Sequence, residues 1–173
     1  ISSQMYEIGR NETGSIKFEL LRQVCFADVC GIRLSTKKLL RSLVPRTVYD
    51  IGQILKSMAD EFLVHISQDG DYIEGLHPVR SRHIVEYLHE YYPLEETAYN
   101  ITKLADLQDF SVLFSHYPEF SFDKERFYSD VVNEWWNLED LKCFVSAIRG
   151  TFSGCVMQYF RNNEELFNEA NNQ

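Results

Sequence analysis

The stretch Glu61–Tyr92, EFLVHISQDGDYIEGLHPVRSRHIVEYLHEYY, constrains this chain more than any other. Phe62, Val64 and Ile66 alternate, Asp69-Gly70 follows, and Tyr72–Leu76 reads as a second extended run. Asp-Gly between two such runs predicts a hairpin with a tight primed turn, because that turn needs positive φ and Gly adopts it without steric cost. Pro78 then suits the first turn of a helix, where its missing N–H is not needed. Ile84, Val85, Leu88 and Tyr91 recur at helical spacing and predict a helix over Val79–Tyr91.

Three helices are expected before the hairpin. Ser15 can cap the first, Ile16–Cys30, whose stripe is Phe18, Leu21, Val24, Cys25 and Val29, with Gly31 as its stop. Ser35 can cap a short second helix, Thr36–Leu43, which Pro45 forbids from extending. Thr47 with Asp50 three residues on makes a capping-box-like start for the third, Val48–Asp60. Helix, short helix, helix and hairpin is the order of a winged-helix domain, with the hairpin as wing and the third helix in the recognition position.

After Pro93 the pattern is wholly helical. Helices are predicted over Glu95–Leu107, Leu107–His116, Lys124–Trp136, Leu138–Ile148 (capped by Asn137, with Asp140 at its third position) and Ser153–Phe167. Trp135, Trp136 and the other aromatic residues of this half read as core. The expected organisation is an arm over 1–15, a winged-helix domain over 16–92 and a helical domain over 93–173. The fold class is mainly α, with one β-hairpin in the winged helix, followed by a helical bundle or the start of an α-solenoid.

Hydrophobic residues make up 45% of the 173, enough to build a core. No run approaches the ~20 apolar residues of a membrane span. No signal peptide stands at the start, which together predicts a cytoplasmic protein. The start without Met reads as a piece of a longer polypeptide. Cys25, Cys30, Cys143 and Cys155 form no CxxC pair or zinc-type spacing, so buried reduced thiols are expected. No phosphate loop, HExxH or GxSxG motif occurs, so no catalytic residue, metal or cofactor is assigned to this stretch. The adjacent carboxylates Glu95-Glu96 and Glu164-Glu165 read as solvated faces. His83 and His89, six apart, fall on different helix faces.

Charge is unevenly spread. Residues 31–57 carry six cations against Asp50, a balance of +5, and residues 86–139 carry twelve acids against three cations, a balance of −9. The positive segment makes Lys37, Lys38, Arg41, Arg46 and Lys56 candidates for phosphate contacts in a winged-helix DNA-binding regulator, its helical part binding a ligand or a second subunit. Against that, the outward positions of the third helix (Tyr49, Asp50, Gln53, Lys56 and Ser57) include one cation. The wing tip Gln68-Asp69-Gly70-Asp71 is acidic, which disfavours nucleic acid.

The run Leu76-His77-Pro78-Val79-Arg80-Ser81 turns from strand to helix. A His there stands where free N–H groups and the helix dipole favour anions. Arg80 in the first turn defies that dipole, so it answers either to an absent partner or, with a buried His77 bonded to backbone, to an acid of this chain. The segments Leu34–Leu40 and Gly75–Ser81 resemble the winged-helix domain of STAND-class P-loop NTPases, more narrowly the bacterial antiviral members with an LHPVRS-like run. In the related NOD-like and plant resistance receptors a Met-His-Asp motif holds this corner, and its His reaches the β-phosphate of bound ADP. Leu76 stands for the Met and His77 for the His, while Pro78 departs from the Asp. The resemblance implies a non-catalytic regulatory fragment of a signalling or defence NTPase. His77 and Arg80 would sense nucleotide. An upstream nucleotide-binding domain would hold ADP or ATP, sensor repeats would follow downstream, and the parent would assemble into homo-oligomers.

Overall fold

Ile73 sits at the middle of a small antiparallel sheet, paired with Leu34 on one side and Ile66 on the other. The computed structural model describes residues 12–42, 48–138 and 141–162. In the N-terminal unit, which ends at Asp106, helix α1 (Glu12–Val29) leads to strand β1 (Leu34–Ser35), α2 (Thr36–Ser42), α3 (Val48–Asp60), β2 (Val64–Ile66), β3 (Tyr72–Gly75), α4 (Pro78–Leu88) and α5 (Leu94–Leu104). The sheet order is β1-β3-β2, the arrangement of a winged helix. Leu34, Val64 and Ile73 are buried against a core that includes Leu20, Leu21, Val24, Leu39, Ile51 and Met58. Each such side chain contributes about 1.5–3 kcal/mol by leaving water. On the other sheet face His65 pairs with Glu74 across the strands at 3.0 Å.

The hairpin stands where the sequence put it, but its turn is longer than a primed two-residue loop. Ser67 N–H bonds to Tyr72 O, and Gly70 N–H bonds to Ser67 O at 2.9 Å. Gly70 alone in this loop has positive φ, whereas a type I′ turn needs two such residues. Asp69 holds the tip by accepting from Ser67 Oγ and Asp71 N–H, which keeps its carboxyl below the usual range.

Two helices end in the same way. Ile32 N–H reaches Ala27 O and Gly31 N–H reaches Asp28 O at the end of α1. Leu63 N–H reaches Met58 O and Phe62 N–H reaches Ala59 O at the end of α3. Both are Schellman motifs, which put one residue in the left-handed region. Gly31 has φ 70° and Phe62 has φ 55°. Phe62 is therefore not the first inward residue of a strand, as its alternation with Val64 and Ile66 suggested. It closes α3, and its side chain is 73% exposed. Tyr91 likewise leaves the expected α4 stripe, being outside the helix and exposed.

Helix α5 packs on α1, and the units divide at Asp106/Leu107, so the helix expected to open the second domain belongs to the first. The C-terminal unit has a 3₁₀ turn (Leu107–Asp109), α6 (Phe110–His116), a second 3₁₀ turn (Tyr117–Glu119), α7 (Lys124–Leu138) and α8 (Leu141–Asn162). Its core is aromatic. Tyr117 meets Phe114 and Phe127 edge-on at 4.8 and 5.0 Å, and Phe122 meets Phe127 at 5.1 Å. Such pairs add about 0.5–1.5 kcal/mol each beyond their burial. The side chains of Trp135 and Trp136 lie outside the described ones. So do the arm up to residue 11, the Thr47 cap, Arg46, Asp140 and the tail from residue 163.

The sequence predicted two helices where α8 is one, and Asn137, expected as a cap, lies inside α7. Two glycines inside α8 are contact points. A Cβ on Gly150 would come within 3.0 Å of Ser111 O, and one on Gly154 within 3.0 Å of Ser115 O, both backbone atoms of α6. Two small residues one turn apart on each helix let the backbones touch.

Two substitutions test these points. Phe62→Gly relieves the left-handed backbone at little cost in buried area, and should raise unfolding stability by about 0.5–1 kcal/mol in urea titrations. Gly154→Ala forces α8 off α6 and should lower it by about 1–3 kcal/mol.

Candidate functional site

The corner between β3 and α4 is built from Gly75, His77, Arg80 and Ser81, with Asp28 and Cys25 approaching from α1. Ser81 is buried and donates its hydroxyl to Asp28 Oδ2 at 2.6 Å. Gly75 makes that bond possible, since a Cβ there would fall within 3.0 Å of both Ser81 Oγ and Asp28 Oδ2. Burial pushes the Asp28 carboxyl up, the Ser81 hydroxyl pulls it down, Glu74 raises it again and His77 lowers it. Cys25 is fully buried beside them, and burial pushes its thiol up to about 12 despite a hydrogen bond with Ser81. A thiol so protonated is no nucleophile at neutral pH.

His77 is the N-cap of α4, with extended backbone (φ −168°, ψ 132°), and Pro78 takes the first helical position. The imidazole is exposed, and its Nδ1 accepts from Val79 N–H at 3.2 Å. With Nδ1 accepting, the neutral ring carries its hydrogen on Nε2, so the corner keeps one N–H donor. The expected alternative of a buried His77 is thus corrected in burial and upheld in its backbone bond.

Arg80 has a partner within this chain that is not an acid. Its Nη1 donates to Phe62 O at 2.6 Å, the carbonyl of the residue that closes α3. The cation disfavoured at the start of its own helix is favoured at the C-terminal, negative end of another. Arg80 is a brace between α3 and α4, and His77 is the exposed group of the pair.

The candidate phosphate-contacting cations differ in their surroundings. Lys38 binds Asp106 Oδ1 at 2.7 Å and Ala105 O at 3.1 Å, so it ties α2 to the segment after α5. Lys37 and Arg41 are exposed one turn apart on α2, Lys56 is exposed on α3, and Arg46 lies outside the described residues. Arg33 lies over the Tyr72 ring at 4.9 Å. The histidines also stay apart. His83 pairs with Glu86 at 3.5 Å, while His89 Nδ1 lies 3.0 Å from Tyr92 O. Among the described residues no group of three or more His, Cys, Asp or Glu could hold a metal ion, and no helix is long and apolar enough to cross a membrane.

No protein-family model matches the chain, and no curated protein or solved structure matches it either.

Sequence reading singled out His77 and Arg80 but missed Asp28. The available signal was a lone acid in the apolar run Val24–Cys30 of a helix. Asp28→Asn keeps an acceptor for Ser81 and removes the burial of charge. A carboxyl whose folded pKa is raised loses stability as pH rises through that value, so wild type is penalised at neutral pH and not in acid. The variant should equal or exceed wild type in thermal stability at pH 7, with the difference shrinking as pH falls below the carboxylate range. A difference that grows in acid would overturn the assignment.

Proposed function

We propose that this chain is a regulatory module of a signalling or defence NTPase. Its winged helix would couple the nucleotide state of a neighbouring domain in the same polypeptide to switching and self-assembly. One observation carries the reading. An exposed His77 is held by its own helix cap so that Nε2–H is free to donate at a helix N-terminus, the place and polarity that suit a phosphate oxygen. The Gly75–Ser81 run, similar to that of STAND-class NTPases, supplies the class of partner. ADP or ATP would be held by an upstream nucleotide-binding domain, and sensor repeats would follow. Such a protein works in the cytoplasm.

Within this reading the roles of the pair divide. His77 is the nucleotide-facing donor. Arg80, engaged by Phe62 O, transmits any movement of α4 to the end of α3 and so to the hairpin. Differential contact of His77 with ADP and ATP states would bias a two-state element, as a switch requires. The acidic tip at Asp69 and Asp71 and the engagement of Lys38 by Asp106 favour protein docking over DNA.

The test uses the full-length polypeptide. A hydrogen bond to a charged group contributes about 1.5–3 kcal/mol, so His77→Ala should weaken ADP binding about 10- to 100-fold and shift the protein toward its assembled state. Unchanged ADP affinity with unchanged assembly, in a variant that melts like wild type, would remove His77 from this role.

A further inference from the structure

Helix α4 ends on a histidine with one ring nitrogen bonded and the other bare. His89 is its C-cap and is half-buried. Its Nδ1 lies 3.0 Å from Tyr92 O. A carbonyl oxygen only accepts, so Nδ1 carries a hydrogen whenever that bond stands. In the neutral ring Nε2 is then a lone pair. That atom is buried and has no hydrogen-bond partner among the described residues. A further proton can enter the closed ring only at Nε2. It would arrive as an unmatched donor carrying a charge away from water, which costs far more than an unpaired lone pair.

Tyr92 ties this histidine to two other helices. The His89 and Tyr92 rings are tilted against each other, 5.8 Å apart. The Arg22 guanidinium, from α1, lies 3.8 Å from the centre of the Tyr92 ring. The Tyr92 hydroxyl donates to Glu96 Oε2, in the first turn of α5, at 2.9 Å. The turn between α4 and α5 is thus held at both ends of Tyr92, its carbonyl by His89 and its ring by Arg22.

The charges that face His89 are Arg22 and Glu19 from α1 and Glu95 from α5. Glu19 is already engaged along its own helix, with Oε2 taking Arg22 Nη2 and Oε1 taking Gln23 Nε2. Gln23 Oε1 is buried and unpaired as well, so it does not reach the ring. Burial is the largest influence on the ring. With Arg22 it holds the pKa below the usual histidine value, against the Tyr92 carbonyl and the two acids.

From this arrangement we infer that His89 is a proton-operated latch on the joint between α4 and α5. A neutral ring keeps residues 89–93 folded down on α1. A proton on Nε2 releases them, because the imidazolium meets water only when the turn lifts. Release takes Tyr92 off Arg22 and frees the start of α5. The latch is separate from the proposed role of the His77 corner and does not depend on it.

The sign follows from the neutral ring being the favoured form when closed. Above pH about 6.5 the latch has its full strength. Below that the open form binds the proton more tightly. The ratio of closed to open then falls about tenfold per pH unit until the closed form itself titrates.

The test uses the full chain. Nuclear magnetic resonance follows the His89 ring, together with amide exchange of residues 89–93 relative to the rate of an unstructured peptide. His89→Asn puts an amide N–H where Nδ1 stands and cannot titrate, and Arg22→Gln removes the facing cation. His89 should titrate below pH about 6.5, and exchange at 89–93 should rise about tenfold per pH unit below that. The His89→Asn chain should show no such rise, and Arg22→Gln should move the His89 titration upward. A wild-type His89 that titrates at or above the usual value would overturn the proposal. So would an equal rise of exchange in His89→Asn, or an unmoved His89 in Arg22→Gln. If His89→Asn does not fold, the wild-type titration and Arg22→Gln decide the matter.

Discussion

The β3–α4 corner depends on Gly75 having no side chain. The space a Cβ would take is filled by the Asp28 carboxylate and the Ser81 hydroxyl, which bond across it. That bond joins α1 to α4 at a point where β3 has just ended. A half-buried carboxylate is costly unless satisfied, and the buried hydroxyl of Ser81 offsets part of the cost. The consequence reaches the neighbours in sequence. With Ser81 fixed, the first turn of α4 is fixed, and His77 and Arg80 are held on either side of it. The geometry of the exposed histidine is thus set from behind by Ser81, whose N–H also bonds to His77 O at 2.9 Å.

Arg80 shows why a local rule can be right and still mislead. The dipole of α4 disfavours a cation in its first turn. The end of α3 presents a stronger claim, because Phe62 in its left-handed conformation turns a carbonyl outward and Arg80 Nη1 reaches it. A non-glycine residue in that region costs about 1–2 kcal/mol, and the charge-assisted bond to its carbonyl helps to hold it there. The oddity in sequence was an intramolecular contact across 18 positions. His77, which breaks no rule so plainly, is the more exposed of the two.

Legibility followed the range of the interaction. Helix α3 stands over Val48–Asp60, as the sequence placed it, and the Asp69-Gly70 turn placed the hairpin. Strand β1 was not readable, because two residues carry no periodicity and pair only through Ile73, far along the chain. The Asp28–Ser81 bond spans 53 positions and leaves no spacing to detect. Gly150 and Gly154 are silent for the same reason, becoming contacts only when α6 is beside them. At the corner, the sequence picked out His77 and Arg80 and missed Asp28, which reaches the corner from another helix.

The glycine contact also explains why α8 exposes so much apolar surface. Two helices whose backbones touch through Gly150, Gly154, Ser111 and Ser115 pack tightly but along a narrow seam. A narrow seam consumes one face of α8 and leaves the flank beyond it uncovered. Helix α7 covers part of that flank through Tyr128, Val131 and Val132, and the gap between the two helices is a cavity of about 370 Å³. Filling it from within would need larger residues on α7 or a wider seam, and the aromatic cluster around Phe127 holds α7 where it is. The exposed stripe of Val145, Ile148, Phe152 and Tyr159 is therefore a consequence of how α6 and α8 meet.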